Sequence, residues 1–143
     1  MPTYLFQNTA WVANLFLRIA VGSSMILVGI AEYRDFGTFY ISALDGMGFL
    51  WIVGSVWAYI LPACMIFGGG LLIGGRYSIL TAWIGGMALA SIPIGLILKT
   101  IMTGLGLEDI LQYVYQSFIW LLLFSFAVQV PEVVEPVEEE SNG

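Results

Sequence analysis

The chain has 143 residues, of which 59% are hydrophobic and only 10% charged, with a mean hydropathy of +0.93. A soluble domain carries about 25% charged residues, so the composition is that of an integral membrane protein. There is no histidine and a single cysteine, Cys64, so the chain alone can build no internal disulfide, Cys/His zinc site, Cys-ligated cluster, His-ligated haem, or Ser-His-Asp or Cys-His catalytic set.

Four apolar stretches have the length of a membrane helix, roughly 20 residues at 1.5 Å rise each. The first runs from about Ala10 to Tyr33. No basic segment precedes it and no small-residue cleavage site follows. It therefore reads as a retained helix and not a signal peptide. Arg18 is the only charge between Ala10 and Ala31. An arginine at a helix centre costs about 2.5–3.5 kcal/mol on insertion scales. Glu32 is too far along the same helix to pair with it, fourteen residues being roughly 21 Å. Either the guanidinium snorkels to the interface or makes a structural pair, or it contacts an anion or a quinone head.

The segment Arg34 to Met47 is less apolar and carries Asp35 and Asp45. It predicts an interfacial loop with a short amphipathic helix. The second span covers about Gly48 to Gly74 and contains Pro62. Proline removes a backbone bond and clashes with the preceding turn, so a kink, or a break leaving an interfacial helix, is expected there. Cys64 follows in an apolar setting that suits a buried, inert thiol. Gly74-Gly75-Arg76 reads as a tight turn.

The third span, Tyr77 to Leu98, carries Pro93, with the same expectation of a bend. Lys99 to Asp109 links it to the fourth span, about Ile110 to Val130, and contains Gly104 and Gly106. Gln112 and Gln116, four apart, share one face of that span and suit hydrogen bonds across the bundle or to a quinone carbonyl. Trp11, Trp51, Tyr77, Trp83 and Tyr113 lie near span ends, where aromatic side chains favour the headgroup region.

After Pro131 the chain is rich in proline and glutamate. Five of its ten acidic residues lie there, at Glu132, Glu135, Glu138, Glu139 and Glu140. That composition predicts a disordered tail. Residues 1–130 thus form a four-span domain and 131–143 an acidic tail. The body holds four basic and five acidic residues, and no basic patch points to nucleic acid or anionic lipid.

Four spans put both termini on one side of the membrane, expected to be the cell (inner or plasma) membrane. The side stays open, because only Arg76 marks one face and Arg34 and Lys99 the other.

Small residues recur at packing distance: Gly22 and Gly29 on the first span, Gly70 and Gly74 as a GxxxG on the second, Ala82, Gly86 and Ala90 on the third. Ser91 and Gly95 form a further small pair. In lipid, such stripes let helix backbones approach. They predict a tight bundle, without distinguishing contacts inside the chain from contacts between subunits. Gly68-Gly69-Gly70 lies within an apolar span and lacks the lysine-serine/threonine continuation of a phosphate loop. Gly104-Leu105-Gly106 lacks the third glycine of a dinucleotide fingerprint.

Leu17-Arg18-Ile19-Ala20-Val21-Gly22, then Val28-Gly29-Ile30-Ala31, resembles the first helix of DoxX-like membrane proteins. Leu61 to Gly75 followed by Arg76 is similar to their second helix. The chain departs from the family pattern at Glu32, where a lysine is frequent. It also departs at Ala63 to Ile66, where a glutamate is frequent. The resemblance covers roughly residues 15 to 128 and carries over Arg18, Gly22, Gly29 and Arg76.

The resemblance implies a four-helix membrane protein linked to redox physiology, related to subunits of thiosulfate:quinone oxidoreductases. The ligand it implies is quinone, with no intrinsic cofactor and no metal. The residues considered for a quinone or polar site are Arg18, Glu32, Arg34, Gln112 and Gln116; no catalytic residue is assigned. Enzyme action, if any, is that of an oxidoreductase subunit working with a partner. Two other classes stand beside it: a non-catalytic scaffold or accessory subunit of a larger membrane assembly, and a small transporter. In each, the lipid bilayer and other membrane subunits are the expected partners, not nucleic acid.

Overall fold

The computed structural model describes residues 4–44, 48–75, 78–104 and 106–129. Among these the structure is all helical: α1 (Tyr4–Arg34), α2 (Phe36–Leu44), a single 3-10 turn (Gly48–Leu50), α3 (Trp51–Gly74), α4 (Ser78–Thr103) and α5 (Leu107–Val128). Of these, α1, α3, α4 and α5 are long and apolar enough to cross a membrane. The chain is a four-helix integral membrane protein. The acidic tail, Asp45, Arg76 and Tyr77 lie outside the described residues.

The four long helices form a ring in the order α1, α3, α4, α5, with α5 closing back on α1. The core between them contains Val21 and Met25 of α1, Met65 and Leu72 of α3, Ala88 and Leu89 of α4, and Phe124 of α5. The surface around it is largely apolar, as a helix surface facing lipid must be.

Glycine decides how closely the helices cross. A Cβ built on Gly22 would stand 2.7 Å from the Gly69 carbonyl, and one on Gly29 2.6 Å from the Pro62 carbonyl. A Cβ on Gly68 would lie 2.9 Å from the Cα of Gly85. Successive helical residues point about 100° apart, since 3.6 make a turn. Of the three consecutive glycines, Gly68 therefore meets α4, Gly69 meets α1, and Gly70 is exposed.

The GxxxG pair works differently from a packing pair inside this chain. Gly70 and Gly74 are exposed, with nothing within 4 Å of a built Cβ. On α4 the buried glycine is Gly85, against the Phe124 ring. Ala82, by contrast, is exposed, while Gly86 and Ala90 are half-buried. A four-residue spacing specifies a stripe but not the direction it faces.

Pro62 and Pro93 lie inside helices that run unbroken through them. Within the expected second span no separate helix splits off before Pro62; among its described residues only the 3-10 turn precedes α3. Both prolines are buried, so packing on neighbouring helices holds the backbone helical around each lost bond.

The third span, α4, extends beyond its expected end at Leu98 to Thr103. There the Gly104 N–H bonds the Thr100 carbonyl at 3.0 Å and Gly104 takes a φ of +66°, a left-handed stop that glycine adopts without strain. Cys64 is half-buried and free. Trp11, Trp51, Trp83 and Tyr113 are all exposed.

Candidate functional site

Polar side chains gather at the two ends of the bundle, and the two groups differ. At one end the N-terminal half of α1 meets the C-termini of α3 and α5. The last four carbonyls of a helix have no partner within it, and in lipid each costs several kcal/mol unless satisfied. Arg18 donates to the Leu72 carbonyl from both Nε (3.0 Å) and Nη2 (2.9 Å). One turn earlier on α1, Asn14 Nδ2 donates to the Phe126 (3.2 Å) and Gln129 (3.1 Å) carbonyls at the end of α5.

The partner of Arg18 is therefore a helix end. The α3 C-terminus carries the negative pole of the helix dipole, worth about 0.3–1 kcal/mol to a cation. Hydrogen bonds involving a charged group add about 1.5–3 kcal/mol each. Together these offset the cost of placing the guanidinium in the span. Gly75 makes room for it. Its φ is +69°, its N–H bonds the Leu71 carbonyl at 3.0 Å, and a Cβ there would collide with Arg18 Nη2.

At the opposite end, α2 lies against α3 through an aromatic cluster. Phe36 and Tyr59 have ring centroids 4.5 Å apart, and Phe36 also contacts Tyr40 at 5.6 Å. The Tyr33 hydroxyl donates to the Tyr59 carbonyl at 3.0 Å, and Tyr40 shares a 3.1 Å hydrogen bond with Ser55. Lys99 Nζ donates to the Ser42 carbonyl, near the C-terminus of α2, and so fixes that helix to α4.

Beneath α2 is a cavity of about 400 Å³ between α1, α3 and α4. This is within the roughly 300–1,000 Å³ of small-molecule sites. Its walls include Phe39, Trp57 and Leu61, and its polar side chains include Glu32, Ser91 and Lys99. The Trp57 indole N–H donates to Ser91 Oγ at 3.0 Å, and Ser91 donates onward to the Ala88 carbonyl at 2.7 Å. Those groups are satisfied within the protein. Glu32 is not: its Oε2 is buried without a hydrogen-bond partner among the described residues.

Of the residues considered from sequence, Glu32 lines this cavity. Arg18 lies at the other end of the bundle, about 21 Å away along α1. Arg34 is exposed at the end of α1, and Gln112 and Gln116 are exposed on α5. The structure does not bring these five together.

Lys99 and Trp57 were absent from the sequence-derived set. For Lys99 the signal is the spacing of Ser91, Gly95 and Lys99, four apart on one face of α4, all three lining the cavity; nothing in the sequence marks Trp57. Gly95 has nothing within 4 Å of a built Cβ, so the missing side chain is part of the open volume.

No protein-family model, curated protein or solved structure matches this chain. The cavity's own chemistry is then the guide to its ligand. It offers an acceptor lacking a donor among the described residues, an ammonium with donors to spare, and apolar aromatic walls near one end of the bundle. That combination suits the polar head of a membrane-soluble small molecule.

Proposed function

We propose that the chain is a quinone-binding subunit of a redox complex in the cell membrane. The resemblance to DoxX-like proteins implies a complex of the thiosulfate:quinone oxidoreductase type. One observation carries the reading: Glu32 Oε2 is buried with no partner among the described residues, on the wall of a mainly apolar cavity of about 400 Å³. A buried acceptor left without a donor costs about 1–3 kcal/mol. A ligand hydroxyl, such as a quinol carries, would relieve that cost.

A bound quinone supplies the electron-carrying ring, and the chain's residues bind and orient it. Glu32 accepts from the head. Lys99 Nζ has three donors and gives one to Ser42, leaving others for a ring oxygen. Phe39 and Trp57 present apolar surface to the ring.

The test is equilibrium binding of a short-chain benzoquinol to the full chain in nanodiscs, under anaerobic reducing conditions. Glu32→Gln and Lys99→Met each weaken binding at least tenfold, and Gly95→Phe, which fills the cavity, abolishes it. Unchanged affinity in all three variants would refute the assignment.

A second reading, a scaffold within a larger membrane assembly, is favoured by one feature. Gly70 and Gly74 are exposed with no described residue within 4 Å of a built Cβ, an open small-residue stripe of the kind another membrane helix packs against. Purification from native membranes separates the readings. A stoichiometric complex in which no quinol binds this subunit supports the scaffold.

A further inference from the structure

A second cavity, of about 170 Å³, lies deeper in the bundle. We infer that the two cavities form one head-and-tail site, open to the bilayer between α1 and α5, for a ligand bearing a single hydrocarbon chain. The inference rests on the quinol reading for the identity of the head; the tail compartment rests on separate observations.

The cavities are stacked along the bundle. Ile92 of α4 lines both. On α1 the lining moves from Glu32 in the outer cavity to Val28 in the inner one. On α3 it moves from Leu61 to Met65. Each is a step of four residues, about one helical turn. Ile92 stands at the boundary of the two cavities, so a chain attached to a head beside Glu32 enters the inner one by displacing that side chain.

The inner cavity is built for hydrocarbon. Met25 (1% exposed), Met65 (4%) and Leu89 (4%) form its buried side, and methionine adapts to irregular apolar shapes. Its two serines spend their hydroxyls on their own helices. Ser24 donates to the Ala20 carbonyl and Ser117 to the Tyr113 carbonyl, both at 2.8 Å. The lipid side is marked by Val28 (44% exposed) on α1 and Trp120 (40% exposed) on α5. Both line the cavity, so it opens between those helices.

Volume limits the ligand. A dry cavity of about 150 Å³ accommodates one benzene. The inner compartment at about 170 Å³ therefore holds about five or six carbons of one chain, with the remainder passing out between α1 and α5. Two chains do not fit in it side by side.

The experiment uses the full chain in nanodiscs and two probes: a decyl-benzoquinol with a diazirine on the fourth chain carbon, and methyl-benzoquinol. Photolabelling by the decyl probe is expected at Met25, Met65 or Leu89. Ser117→Phe and Ser24→Phe each narrow the inner cavity. They should cut that labelling and the affinity for decyl-benzoquinol at least fivefold, leaving methyl-benzoquinol within twofold of wild type.

If methyl-benzoquinol binds but the decyl probe labels only outward-facing residues such as Phe118, the tail site is wrong and the head site stands. Equal affinity of both probes for wild type and both variants would likewise remove the tail site alone. If neither probe binds the wild-type protein, both assignments fall together.

Discussion

The two ends of the bundle handle buried polarity in opposite ways. At the α3 and α5 C-termini, Arg18 and Asn14 are matched to helix carbonyls, and Gly75 is shaped around the guanidinium. At the α2 end, Lys99 satisfies one carbonyl, but Glu32 retains an unpaired buried oxygen beside an open cavity. The first arrangement satisfies carbonyls at two helix ends, those of Leu72, Phe126 and Gln129. The second leaves an acceptor that no described residue satisfies. An intramembrane charge alone does not mark a site; the state of its partners does.

Substitutions at the closed end should have the largest structural effects. Arg18→Leu removes two hydrogen bonds to Leu72 and is expected to cost about 2–3 kcal/mol. That corresponds to a fall in Tm of very roughly 6–15 °C for a chain of this size. Protection from hydrogen exchange at the end of α3 should fall with it. Gly75→Ala places a side chain at a φ of +69° and into the guanidinium. The left-handed backbone alone costs about 1–2 kcal/mol.

Because both changes break one contact, the double variant should lose less than the sum of the singles, by at least about 0.5 kcal/mol. Full additivity in thermal melts would separate Gly75 from Arg18. Asn14→Ala removes the two bonds to the end of α5 and should cost about 1 kcal/mol. Increased exchange confined to the last turn of α5 would locate the effect. The smallest stability change is expected for Glu32→Gln, within about 0.5 kcal/mol of wild type, since no protein hydrogen bond to Oε2 is lost.

Much of the fold was legible because bilayer thickness and hydropathy fix helix number. All four spans fall largely on helices, α2 falls inside the expected interfacial segment, and Gly75 caps α3 in a left-handed conformation within the expected Gly74-Gly75-Arg76 turn, whose Arg76 lies outside the described residues. Arg18 was legible as a charge needing an answer from outside its own helix. That answer is a backbone carbonyl, which every residue has and no sequence pattern announces.

Helix phase was less accessible. Any four-residue stripe of small residues satisfies the packing pattern, and only the positions of neighbouring helices distinguish Gly69 from Gly70. The grouping of Glu32 with Arg34, Gln112 and Gln116 relied on polarity, whereas the fold sorts those residues by face. The Ser91-Gly95-Lys99 stripe carried the better signal, a polar residue, a gap and a cation on one side of one helix.

The most direct test of the contrast is thermal unfolding in nanodiscs with and without decyl-benzoquinol, comparing wild type, Arg18→Leu and Glu32→Gln. A ligand that binds the folded state raises Tm. Glu32→Gln should melt with the unliganded wild type yet lose most of the ligand-induced rise, while Arg18→Leu melts lower without ligand. The contrast between the two ends is contradicted if unliganded Glu32→Gln melts as low as Arg18→Leu, or if it keeps the full ligand-induced rise.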